Sequence, residues 1–301
     1  MDIRAILMGL GFALMWSSAF TSARIIVADA PPLYSLALRF FISGLIGVGI
    51  AKALGQNWRL SRSQWKAVLV FGVCQNALYL GLNFVAMQWV EASLAAIIAS
   101  TMPLMVAFAG WTLLGDRLRP MAALGLLAGV VGVALIMGAR LSGGVDLLGV
   151  GFCFIAAAGL TVATLSVRQA SAGGNLMMIV GLQMFVGAAV LFVFAAFLET
   201  PSFTPSLRLF AAFSYTVLVP GLLATFVWFS LVGRIGAVKA ATFHFLNPFF
   251  GVAVAAVLLG EALGWLDILG VSIITIGILM VQVSKQHPPA PSVSQHSPTR
   301  T

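Results

Sequence analysis

Within one apolar run, "ATFHFLNPFF" (241–250), His244, Asn247 and Pro248 bring together a titratable ring, an amide and a helix-breaking imino acid. His244 and Asn247 stand three residues apart and share a helix face. Pro248 removes a backbone donor and frees the carbonyl of His244, four residues back. A second set lies in "QNALYLGLN" (75–83). Gln75, Tyr79 and Asn83 are spaced i, i+4, i+8, with Asn76 beside them, so amides and a phenol fall on one face. One staple between helices needs fewer polar groups than this, and the set reads as a cavity wall. Near the N-terminus, Trp16, Ser17, Ser18, Phe20 and Thr21 offer hydroxyls and an i, i+4 aromatic pair, Trp16 and Phe20, that is either lining or packing. Tyr215 and Trp228 extend an aromatic lining, and Thr161 and Thr164 are weaker candidates because threonine in a helix often bonds its own backbone. Arg39 lies about two turns into another apolar run. It snorkels outward, pairs with Asp29, or holds a carboxylate bidentately.

What is missing narrows the chemistry. All eight acids sit in connections or at helix ends, which leaves His244 as the mid-run group that titrates near neutral pH. There is no GxxxxGK[ST] stretch for ATP, no metal-ligand cluster and no Ser-His-Asp arrangement. Cys74 and Cys153 fall in apolar runs and read as small core residues. Neither an enzyme, a cofactor nor a metal is expected. A sensor would bring larger loops or a soluble signalling domain.

The elements that must position these residues are set by composition. Of 301 residues, 61% are hydrophobic and 8% charged, against roughly 25% charged in soluble domains. The long, nearly continuous apolar runs predict an all-α integral membrane protein. Ten runs qualify as spans, at about 4–27, 33–54, 65–88, 92–114, 119–138, 147–168, 176–197, 208–232, 237–259 and 265–284. Pro31-Pro32, Gly143-Gly144, Gly173-Gly174 and Pro201 punctuate the short connections. The Pro- and Ser-rich stretch 285–301 reads as a disordered tail. The first 23 residues mimic a signal peptide, but an internal counterpart argues for a retained span. The net charge of +8 reflects basic loops rather than a nucleic-acid partner. With the N-terminus in the cytoplasm, Arg4, Lys52, Arg59, Arg62, Lys66, Arg117, Arg119, Arg168, Arg234, Lys239, Lys285 and Arg300 lie inside, and Arg140 and Arg208 outside. Both termini are therefore expected to be cytoplasmic.

An offset of 145 residues superposes "ASLAAIIASTMPLMVAFAGWTLLGDRL" on "AVKAATFHFLNPFFGVAVAAVLLGEAL" without a gap. Pro103 meets Pro248, Gly125 meets Gly270, and Gly132 meets Gly277. Gly11-Phe12 matches Gly151-Phe152 at a slightly different offset. An odd number of spans per copy inverts the second copy, the organisation of many secondary transporters. Pro103 and Pro248 are expected to kink equivalent helices and act in gating or in opening a cavity. Asp116 and Glu261 are expected to cap the helix that follows each of them. The glycines of 125–135 suggest close helix packing within the chain.

The ten runs, the repeated Pro-(x9)-L-L-G-[DE]-x-L and the glycines after it resemble the drug/metabolite transporter superfamily, EamA type, over residues 1–285. "MWSSAF" and "NALYLGLNFVAM" are similar to the YddG-type exporters of amino acids within it. The resemblance implies ten helices around a central cavity, the fifth and tenth supporting the fold, and export of small metabolites. The expectation is two inverted five-helix repeats, 1–140 and 141–284, with N- and C-termini cytoplasmic, in a bacterial inner membrane. They would export amino acids, aromatic and other neutral ones, by alternating access without ATP. The partners expected are the lipid bilayer and a small-molecule substrate, with the monomer as the working unit. The alternatives are proton-coupled export of other metabolites or drugs through His244, and exchange of nucleotide sugars or sugar phosphates. The latter would want several cavity cations, and only Arg39 and Arg24 are candidates.

Overall fold

A chain this poor in polar side chains must satisfy its backbone internally, and every regular element among the described residues is helical. The computed structural model describes residues 3–115, 118–166, 175–235, 240 and 242–286. In chain order the elements are α1 (Ile3–Asp29), α2 (Pro32–Ala53), α3 (Arg62–Ala86), α4 (Ala92–Leu114) and α5 (Pro120–Ser142). Then come α6 (Leu147–Ser166), α7 (Leu176–Leu198), α8 (207–235), α9 (242–259) and α10 (Trp265–Gln286). Eight of them are long and apolar enough to cross a membrane, while the apolar stretches Leu147–Val162 of α6 and Phe243–Leu259 of α9 are shorter. Asp116, Gly173-Gly174 and the tail beyond Gln286 lie outside the described residues.

Four helices depart from α geometry, each where the cavity described below is walled. α3 widens to π-helix over Phe71–Tyr79. α8 does so over Val217–Leu223 around Pro220, and Ala224 N–H closes the wider turn by reaching back five residues to Val219 O. α4 breaks at Thr101, and Pro103 sits in the first turn of Met102–Leu114. α9 opens with the 3-10 turn Thr242–Leu246, and Pro248 sits in the first turn of Asn247–Leu259. Each proline thus begins a helical segment, the position where its lost donor costs least. Both segments end on a left-handed glycine, Gly115 at φ 69° and Gly260 at φ 70°, which is why "LLG" recurs.

The ends of the helices are tied in two groups of opposite charge. At one end Gln56 Oε1 accepts from Met178 N–H at 3.0 Å, and Arg119 donates to Ser284 O at 3.1 Å. Arg4, Lys52, Arg59, Arg62, Lys66 and Arg234 lie at this basic end. The other end carries Asp29, Glu91, Asp146, Glu199, Glu261 and Asp267, which are all the acids among the described residues. There Glu199 accepts from the Leu33 and Tyr34 N–H groups at the start of α2, at 2.8 and 3.0 Å. Glu261 accepts from Ala92 and Ser93 N–H at 2.8 and 2.9 Å. This corrects the expected cap: Glu261 serves α4, from the other half of the chain, and Asp267 closes the start of α10 by accepting from Gly264 N–H at 2.9 Å. Arg140 joins Asp267, 3.1 Å away, to Glu91 and so links α5, α10 and the start of α4.

Small residues let helices meet backbone to backbone. A Cβ on Gly125 would fall 2.6 Å from Gly277 O, and one on Gly132 would fall 2.8 Å from Gly270 O, so α5 and α10 touch along their axes. α2 and α7 meet similarly at Gly47 and Gly181. The first half of α4, Ala92–Ser100, is buried on every side, with α1, α6 and α9 around it.

Candidate functional site

A cavity of about 420 Å³ lies between α1, α2, α3, α4, α6, α7, α8 and α9, a size that suits a small metabolite. It reaches from Phe20 and Arg39, partway along the helices, to Ala67, Thr164 and Leu176 at the basic end. The acidic end lies beyond it, under the Glu261 cap and the Arg140 cluster.

α1 presents Trp16, Ser17 and Phe20 to the cavity, and Phe12 one turn before Trp16. Phe12 gathers an aromatic group: Trp16 at 5.6 Å, Trp228 at 4.7 Å and His244 edge-on at 5.2 Å. Trp228 and His244 are 5.0 Å apart. Asn247 Nδ2 lies 2.9 Å from His244 Nδ1, so the amide and the ring share a hydrogen bond. Phe12 was not singled out from the sequence. Its spacing of four from Trp16 and eight from Phe20 is the signal that marks it.

α3 supplies Gln75, Asn76 and Tyr79. Asn76 also donates to Gln183 O on α7 at 3.0 Å, so it staples two helices while facing the cavity. Gln183, which lines the wall as well, carried no sequence signal. The indole N–H groups of Trp16 and Trp228, the Gln75 amide and the Tyr79 hydroxyl have no protein hydrogen-bond partner among the described residues. Thr164 lines the cavity but gives its hydroxyl to Leu160 O at 2.8 Å. Pro103 and Arg39 complete the predicted residues that the structure brings to this wall.

Four expected residues stand elsewhere. Asn83 is fully buried and donates to Tyr79 O at 2.8 Å within its own helix. The α3 wall of the cavity ends at Tyr79 and Leu80, so Asn83 lies about one turn beyond it. Thr161 bonds Ala157 O at 2.9 Å. Tyr215 meets Ser18 Oγ at 2.7 Å, away from the cavity. Pro248 is buried behind the wall that Asn247 forms.

Apolar membrane-crossing helices around a polar-patched cavity define a membrane transport protein, and the sequence comparisons agree. The chain belongs to the EamA-like transporter family, whose model matches residues 3–138 and 147–283. It is therefore a multi-pass membrane protein of a transporter family. It is 26% identical over 280 residues to the uncharacterized transporter YvbV of Bacillus subtilis, covering 91% of this chain and 90% of that one. It is 31% identical over 139 residues to the aromatic amino acid exporter YddG of Ancylobacter novellus, covering 46% and 48%. A solved crystal structure superposes with a TM-score of 0.64 at 21% identity over 95% of this chain and 99% of that one, a likeness of fold alone.

Proposed function

We propose that this protein exports amino acids, aromatic and other neutral ones, from the bacterial cytoplasm by alternating access, as a monomer and without ATP. The observation that carries the reading is the cavity: indoles, a phenol and amides with unused hydrogen-bonding capacity, and no acid among the described residues that line it. Organic cations exchanged for protons would want a carboxylate there. The aromatic group around Phe12 suits a planar side chain, and the partial match to an aromatic amino acid exporter points the same way.

The moving parts in this reading are two inverted repeats, 1–140 and 141–284, of five spans each, α6 and α9 included. Two features support it. The family model matches the chain as two successive stretches. The offset of 145 also sends the contact Gly125–Gly277 onto Gly270–Gly132, and both contacts occur, as a two-fold axis in the membrane plane requires. The cavity reaches the basic end, which the positive-inside rule assigns to the cytoplasm, so this conformation is one that loads from inside.

Uptake of radiolabelled phenylalanine, tryptophan and threonine into proteoliposomes tests the reading. We expect flux that falls about tenfold or more in Tyr79→Ala, with unchanged elution of the purified protein. Absence of flux for every amino acid tried overturns it.

A further inference from the structure

Arg39 keeps its charge at any pH a cell meets. Its guanidinium does not snorkel, because the residue is only 6% exposed. Nor does Asp29 neutralise it: that carboxylate accepts from Ser206 Oγ at 3.0 Å, and the ion pairs found among the described residues both belong to Arg140. Arg39 lies over the Phe40 ring at 4.9 Å, and its Nε is buried without a hydrogen-bond acceptor. A cation in an apolar wall without a counter-ion is strongly unfavourable unless something with negative charge joins it.

A donor in the same condition stands beside it. Ser43, one turn further along α2, has a buried hydroxyl with no partner. Gly221, in the π-helical turn of α8, faces both: a Cβ there would lie 3.0 Å from Thr216 O, 3.4 Å from Ser43 Oγ and 3.8 Å from Arg39 Nη2. Glycine at this position keeps a side chain away from the guanidinium and the hydroxyl.

Building on the amino-acid reading above, we propose that Arg39 and Ser43, beside Gly221, form a carboxylate socket at the inner terminus of the cavity. A carboxylate takes two N–H bonds from the guanidinium fork, and the Ser43 hydroxyl supplies a further donor. The rest of the substrate then points toward Trp16 and Trp228, whose faces accept an apolar ring or an ammonium group. The carboxylate is thus the obligatory group on the substrate, and the ammonium group is dispensable.

Thermal stabilisation of the purified full-length protein by four probes tests this without requiring transport. Phenylalanine carries both charged groups, 3-phenylpropionate only the carboxylate, phenylalaninamide and phenethylamine only the amine. We expect the first two to stabilise, with the last two weaker by about tenfold or more in apparent affinity. Arg39→Gln should level the four probes, and Arg39→Lys should restore part of the preference. Gly221→Ala, a smaller change, should weaken the two carboxylates selectively, which keeps a variant in hand if Arg39→Gln does not fold. Phenylalaninamide binding as well as phenylalanine to the unaltered protein overturns the socket, whatever the variants do. Stabilisation by 3-phenylpropionate with no amino acid flux would sink the amino-acid reading and leave the socket standing. No response to any probe overturns both.

Discussion

His244 and Asn247 occupy each other. The Asn247 amide lies 2.9 Å from Nδ1, so the ring and the amide hold one another's orientation. The ring is further held against Phe12 and Trp228. A side chain packed and bonded in this way shapes a wall, and we expect facilitated flux with no proton step through it. His244→Ala should leave the response of phenylalanine flux to an imposed pH gradient unchanged in proteoliposomes, and loss of a response present in the unaltered protein would place the imidazole in a proton path. At this scale the sequence was partly legible. The 145-residue offset lays His244 and Asn247 on the apolar Ala99 and Met102, which sets the polar pair apart in the sequence. Asn83 shares the helix with Gln75 and Tyr79 but lies past the level where the α3 wall ends, and where a cavity closes along a helix leaves no mark in the sequence. Glu261 caps a helix 169 residues away in the chain rather than the one that follows it, a pairing that no local stretch of sequence carries.

The helices themselves were the most legible level, since their length and apolarity are properties of single stretches. The two prolines and the two "LLG" stops were also visible, and the structure gives them one job each: starting a segment and ending it. What could not be read was which helices touch. The glycines of α5 and α10 showed only that some close approach was needed, and contact between backbones depends on how the whole chain is arranged. Gly277→Ala should therefore destabilise the protein by about 1–3 kcal/mol through overpacking against Gly125 O. Gly138→Ala, on the same pair of helices but with open space at its Cβ, should be neutral or slightly stabilising, since alanine is the better helix former. Thermal melts of the two variants in detergent check the contrast, and equal melting temperatures would remove the close contact.

Across the molecule, charge is sorted by end. The described acids gather at one end, where Glu199 and Glu261 serve helix N-termini whose dipoles favour an anion. Lys52, Arg59, Arg62 and Lys66 mark the other. The sum over loops was legible in the sequence, and the positive-inside rule converts it to an orientation. With Cys74 and Cys153 replaced, a membrane-impermeant maleimide applied to intact cells should label Ser202→Cys at the acidic end and spare Asn57→Cys until the cells are opened. The opposite pattern would invert the protein in the membrane and turn the loading side of the cavity outward.

The tryptophans follow the same sorting. Trp58, Trp65, Trp89, Trp111 and Trp265 are exposed at the two ends of the helices, where indoles settle among lipid headgroups. Of the seven in the chain, only Trp16 and Trp228 face the cavity. Intrinsic fluorescence from this protein is therefore two signals in one. Five emitters report the lipid around the molecule, and two report whatever has entered it, so Phe at positions 16 and 228 would leave an otherwise identical spectrum blind to cargo.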